Sequence, residues 1–195
     1  MASVPDHQSI AARVRARGLS VAGVAIILLS AGAALLPAEK GISSDVIGAL
    51  LLAAGLIEVI AGSLRRETRL LAMAAGSITA LAGLLFLLNR DARFFPTVNI
   101  VVAWLFLRSI LLAIASRRAD GSVRTWSSIA AAIDFLLALV LLVGLSLASV
   151  VVLLFGPTPA IVASFSWIVA LSFVATGLLL LEVASCIRDN GRSDL

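Results

Sequence analysis

Six apolar blocks, at residues 19–36, 46–64, 70–88, 94–115, 126–155 and 160–187, restrict the folding options of this chain more than any other feature. A helix needs about 20 apolar residues to cross the roughly 30 Å hydrocarbon core of a bilayer, and the blocks approach or exceed that length. Little else is available to face water. Of 195 residues, 61% are hydrophobic and only 13% are charged, whereas a soluble domain carries about 25% charged residues. In lipid every backbone N–H and C=O must find its partner inside the protein, which leaves helices and closed barrels. The blocks are rich in Leu and Ala and lack alternation, so they read as helices rather than barrel strands. The expected fold class is an all-α membrane protein with six transmembrane helices. The first block, preceded by Arg13, Arg15 and Arg17 and ending near Ala31-Gly32-Ala33, imitates a cleaved signal peptide. It is nevertheless longer than the usual apolar core of about 7–15 residues and is read as a span.

Basic residues set the expected orientation. Eleven arginines lie in the N-terminal tail, the loops after the second and fourth blocks, and the C-terminal tail; the opposite side has only Lys40, Arg90 and Arg93. Cytoplasmic loops carry the excess of Lys and Arg, so both termini are expected in the cytoplasm. The blocks pair into three helical hairpins, 18–66, 69–118 and 124–188, between a polar N-terminal tail at 1–17 and a C-terminal tail at 189–195. Each hairpin starts and ends on the same side. The three are therefore expected to be parallel pseudo-repeats about an axis along the membrane normal.

The same distribution excludes several functions. The arginines flank apolar blocks, where topology explains them, so the net charge of +4 does not imply a nucleic-acid partner. The single cysteine, Cys186, cannot form an intramolecular disulfide. The only histidine, His7, lies in the N-terminal tail, and there is no tyrosine, which removes the usual intramembrane acid–base and nucleophile sets. No phosphate loop, metalloprotease or nucleophile-elbow motif is present. A non-enzymatic protein without cofactor or metal is expected. Its partners would be the bilayer and either further copies of itself or another membrane protein.

Two sets of residues in the apolar blocks stand out. Gly48, Gly55 and Gly62 in the second block, and Gly76 and Gly83 in the third, recur at seven-residue spacing, nearly two helical turns. Each set makes a smooth stripe at which helix backbones can approach closely. The second set is ionisable. Glu58 projects from the same face as the stripe of the second block, toward a neighbouring helix. A charge within a span costs at least ~2.5–3.5 kcal/mol on insertion scales and is usually partnered. Arg108, at similar nominal depth in the fourth block, is the expected partner. Asp134, about eight residues into the fifth block, and Glu182, six residues before Arg188, fall at a similar nominal depth, which predicts a cluster of Glu58, Asp134 and Glu182 around Arg108. The alternative places Asp134 and Glu182 at the headgroups and leaves Glu58 and Arg108 as a structural pair.

Three segments, Gly-Leu-Ile-Glu-Val-Ile-Ala-Gly at 55–62, Trp-Leu-Phe-Leu-Arg-Ser-Ile at 104–110 and Gly-Leu-Leu-Leu-Leu-Glu at 177–182, resemble the HdeD family of small bacterial inner-membrane proteins. Leu-Leu-Pro at 35–37 and Phe-Gly-Pro at 155–157 are similar to that family's hairpin ends, and the resemblance covers about 18–188. It implies a six-helix inner-membrane protein with a role in acid resistance and stress. Two other readings stay open: a proton-coupled transporter or permeation unit built on the buried carboxylates, and a structural subunit of a membrane assembly.

Overall fold

A computed structural model describes residues 7–34, 44–65, 68–88, 94–155 and 159–193, with side chains at 11–32, 45–65, 68–88, 99–144 and 167–189. Of the turns expected at 37–41, 89–91 and 156–159, only Pro159 is described, as the first residue of the last helix; the others, with Lys40, Arg90 and Arg93, lie outside the described residues. Six helices account for the described chain: α1 (His7–Ala34), α2 (Ser44–Ser63), α3 (Arg69–Leu88), α4 (Phe94–Arg118), α5 (Gly121–Phe155) and α6 (Pro159–Ser193). Each contains a stretch long and apolar enough to cross a membrane.

Three boundaries differ from the sequence reading. The N-terminal tail expected at 1–17 is helical from His7 onward, because Ala11-Ala12-Arg13-Val14-Arg15-Ala16-Arg17 consists mostly of strong helix formers. At its far end, α6 runs into the expected C-terminal tail as far as Ser193. Meanwhile α5 begins at Gly121, five residues before the expected start, and this places Asp134 deeper than its distance from Trp126 suggests. Only Ala119 and Asp120 join α4 to α5. Gly121 follows them with φ of +57°, a left-handed conformation that glycine adopts without steric cost.

The helices touch in chain order and close into a ring through α1 and α6, with a slighter contact between α2 and α6. Packing is densest between α2 and α3, α1 and α6, and α4 and α5. The pairs within the three expected hairpins also touch, but less extensively. Close approach of backbones explains two of the dense pairs. A Cβ built on Gly55 would lie 2.2 Å from the Ala80 backbone N, and one on Gly83 would lie 2.4 Å from the Leu52 backbone N. Gly48, Gly62 and Gly76 meet the facing helix in the same way, at 2.7–2.9 Å. Between α1 and α6, Gly23 and Gly177 face each other, a Cβ on either coming within 2.9 Å of the other's carbonyl O. Without water to drive helices together, this contact area is itself the source of attraction.

The outer surface is apolar. Val14, Leu28, Leu70, Leu88 and Val140 are all more than half exposed, whereas Glu58, Arg108 and Asp134 are buried. That inverts the distribution of a water-soluble fold and suits a lipid surround.

The glycine stripe gives a direct test. In detergent, Gly55→Ala should destabilise the bundle by about 1–3 kcal/mol, because the new methyl group meets backbone that cannot move aside. Gly32→Ala, where a Cβ meets nothing within 4 Å, should be neutral or slightly stabilising. Equal effects of the two in a thermal or denaturant unfolding assay would contradict close helix approach at Gly55.

Candidate functional site

Arg108 sits at mid-length in α4 with its side chain 2% exposed, so its charge depends on protein groups for solvation. Those groups come from three other helices. From α2, Glu58 Oε1 accepts from Nη2 at 2.8 Å, and from α5, Asp134 Oδ2 accepts from Nη1 at 2.7 Å. From α6, Ser172 Oγ accepts from Nη1 at 2.8 Å and Thr176 Oγ1 accepts from Nη2. Ser172 and Thr176 are four residues apart and so share one helix face. Four of the five guanidinium N–H groups are thus occupied. The fifth, Nε, is buried without a partner among the described residues.

The carboxylates are held on their other oxygens too. Ser172 Oγ donates to Asp134 Oδ1 at 2.7 Å, and the Thr79 hydroxyl on α3 lies 3.4 Å from Glu58 Oε2. Thr79 also reaches the Ala75 carbonyl at 3.1 Å, so its single proton has two acceptors. The indole N–H of Trp104, one turn before Arg108, donates to Thr79 Oγ1 at 3.0 Å. The Trp104 ring lies under the guanidinium, 5.9 Å from its central carbon to the ring centroid, and meets Phe173 edge-on at 6.5 Å. The former distance is within the range of cation–π attraction. Hydroxyls, carboxylates and the indole thus join α2, α3, α4, α5 and α6 in one network. The remaining helix, α1, is joined to α6 by Ser30, whose hydroxyl donates to the Ala170 carbonyl at 2.9 Å.

Of the four ionisable residues that the sequence groups together, the structure brings three into contact. Glu182 lies elsewhere: half-buried, it accepts from the Ser122 hydroxyl at the start of α5. At 1.5 Å per residue, Glu182 is about 9 Å along α6 from Thr176, beyond the reach of Arg108. Asp134, by contrast, is 1% exposed and fully inside the bundle. Thr79, Ser172 and Thr176 are not among the residues that the sequence marks by charge, although two spacings point to them. Thr79 falls three residues after Gly76 and four before Gly83, on the glycine face. Ser172 and Thr176 are paired polar residues at helical spacing in an otherwise apolar run.

Comparison with protein families, curated proteins and solved structures finds no match to this chain. Fold and site together define a polytopic α-helical membrane protein with a buried, ion-paired arginine at its centre.

Replacing Arg108 alone should leave two buried carboxylates without their counter-charge. Arg108→Leu is expected to cost roughly 3–5 kcal/mol, the magnitude seen when one partner of a buried pair is removed. Replacing Arg108, Glu58 and Asp134 together by Leu should recover most of that loss. Unfolding in detergent or nanodiscs would read the difference, and a triple variant as unstable as Arg108→Leu would contradict the pairing.

Proposed function

We propose that this chain is a non-enzymatic, six-span protein of the bacterial inner membrane, with both termini cytoplasmic, whose Arg108 network fixes the packing of the bundle. The role is the acid-stress one that its resemblance to the HdeD family implies. The single observation supporting a fixed, non-conducting bundle is the occupancy of the network. Arg108, Glu58 and Asp134 are 2%, 6% and 1% exposed, and each is bonded to more than one helix or hydroxyl. A permeation path would need water at these groups. The cavity at the arginine-rich end is lined by none of the three.

The charge balance supports the acid-linked part. One guanidinium faces two carboxylates, a net single negative charge when all are ionised. Arginine keeps its proton at any physiological pH, so proton uptake by both carboxylates would reverse that net charge. Such a reversal biases the packing only if two packings bind protons differently. Assembly with a second copy or another membrane protein would then use the outward helix faces.

Two measurements together test the proposal. Proteoliposomes containing the protein should pass protons and small ions no faster than empty ones. A flux that Glu58→Gln abolishes would establish the transporter reading instead. Cells lacking the chain should survive acid exposure less well, with rescue by the parent sequence and not by Arg108→Leu. Unchanged survival would remove the acid-stress role.

A further inference from the structure

A second pair of arginines lies in a different setting, at the end of the bundle where the chain passes from α2 to α3 and from α4 to α5. There Arg15 of α1 and Arg65, just past α2, line a half-open cavity of about 590 Å³. Both are partly buried, and the Nε of each is shut off from solvent with no hydrogen-bond partner among the described residues. Among the described residues, the ion pairs within 4 Å are both made by Arg108. Asp120 and Asp189 also line the cavity, but both are exposed, at its rim, and neither pairs with either arginine. Ser122 is already committed as donor to Glu182. Loss of hydration lowers the Arg65 guanidinium to about 10; Glu58 partly opposes that effect and Arg108 adds to it. Arg65 is therefore still charged near neutral pH. Among the described residues neither guanidinium has a carboxylate within 4 Å, and the two together form a cradle suited to an anion.

The rest of the wall narrows the kind of anion. Leu64, Val183 and Ile187 give the cavity an apolar side. The apolar stretches start at Ala11, Arg69 and Gly121 and end at Ser63, Arg118 and Asp189, so a bilayer that covers them would have its headgroup boundary near the cavity. Exposed Arg117, Arg118, Arg124 and Arg188 each lie within two residues of a residue that lines the cavity, and their charge raises the local concentration of anions. Arginine suits phosphate oxygens because its planar fork can donate two hydrogen bonds to them. Basic pockets between transmembrane helices recognise phospholipid headgroups in this way.

We infer that the cavity lined by Arg15 and Arg65 is a phosphate-binding site, taking the headgroup phosphate of an anionic lipid or a free phosphate. The inference does not depend on the state of the Arg108 network, which lies deeper in the bundle.

The test uses the full chain in an uncharged detergent, with its thermal midpoint read after addition of phosphatidylglycerol, chain-matched phosphatidylcholine or inorganic phosphate. Phosphatidylglycerol at a large excess over its dissociation constant should raise the midpoint by about 5 °C, and phosphatidylcholine should not. The rise should disappear in Arg15→Gln/Arg65→Gln and persist in Arg118→Gln, whose arginine is exposed outside the cavity. An equal rise with inorganic phosphate would assign the site to free phosphate, and its absence would assign it to the lipid. Equal effects of the two lipids, or a rise that survives in the double variant, would overturn the inference. Should the double variant fail to fold, native mass spectrometry of the parent in an equimolar lipid mixture decides. Preferential retention of phosphatidylglycerol is expected, and equal retention of both lipids would overturn it.

Discussion

The packing of this bundle depends on how a guanidinium can be kept charged at 2% exposure. Removing an ion from water costs several kcal/mol even after relaxation, and attraction to a counter-ion repays that cost only when the geometry is good and the remaining donors are satisfied. Arg108 comes close to that condition: four oxygens from α2, α5 and α6, each at a fixed place on its helix, take four of its five N–H groups, and Nε alone is left without a partner among the described residues. The helices cannot slide or rotate far without uncovering one of these contacts. A purely apolar interface tolerates such movement more readily, since lipid tails are as apolar as leucine. The network thus ties the helices to this arrangement, and the glycine contacts set how closely α2 lies on α3 and α1 on α6.

The two features are complementary in position as well as in kind. Gly76 faces Glu58 across the α2–α3 interface, where a Cβ on Gly76 would lie 2.8 Å from that of Glu58. The glycine stripe therefore helps to hold the carboxylate at the depth of Arg108. On the other side, the approach of Gly23 to Gly177 brings α1 onto α6, the helix that carries Ser172 and Thr176. Small residues fix the distances of α2 from α3 and of α1 from α6, and the charges fix rotation.

Much of this was legible in the sequence because the physics is one-dimensional. Block lengths gave six spans, and the seven-residue glycine spacing gave the α2 and α3 faces. The shared face of Glu58 with its stripe pointed to a partner in a neighbouring helix. What escaped depended on three-dimensional closure or on exact helix starts. The pairing of α1 with α6 joins the two ends of the chain, and no local pattern announces it. Depth counted from the apparent block edges, Trp126 for Asp134 and Arg188 for Glu182, puts the two acids level with each other. The early start of α5 at Gly121 instead sinks Asp134 and places Ser122 beside Glu182. Thr79, Ser172 and Thr176 were hidden by chemistry: a hydroxyl in an apolar helix is inexpensive to insert and gives little sign of its role.

The central claim, that one guanidinium joins α2 and α5 through two carboxylates at once, can be read in a lipid bilayer by solid-state nuclear magnetic resonance. Dipolar recoupling between the Nη atoms of Arg108 and the carboxyl carbons of Glu58 and Asp134 should show strong dephasing from both carbons in the same sample, as direct hydrogen bonds at 2.8 and 2.7 Å require. Dephasing from only one carboxyl, or from neither, would contradict the account.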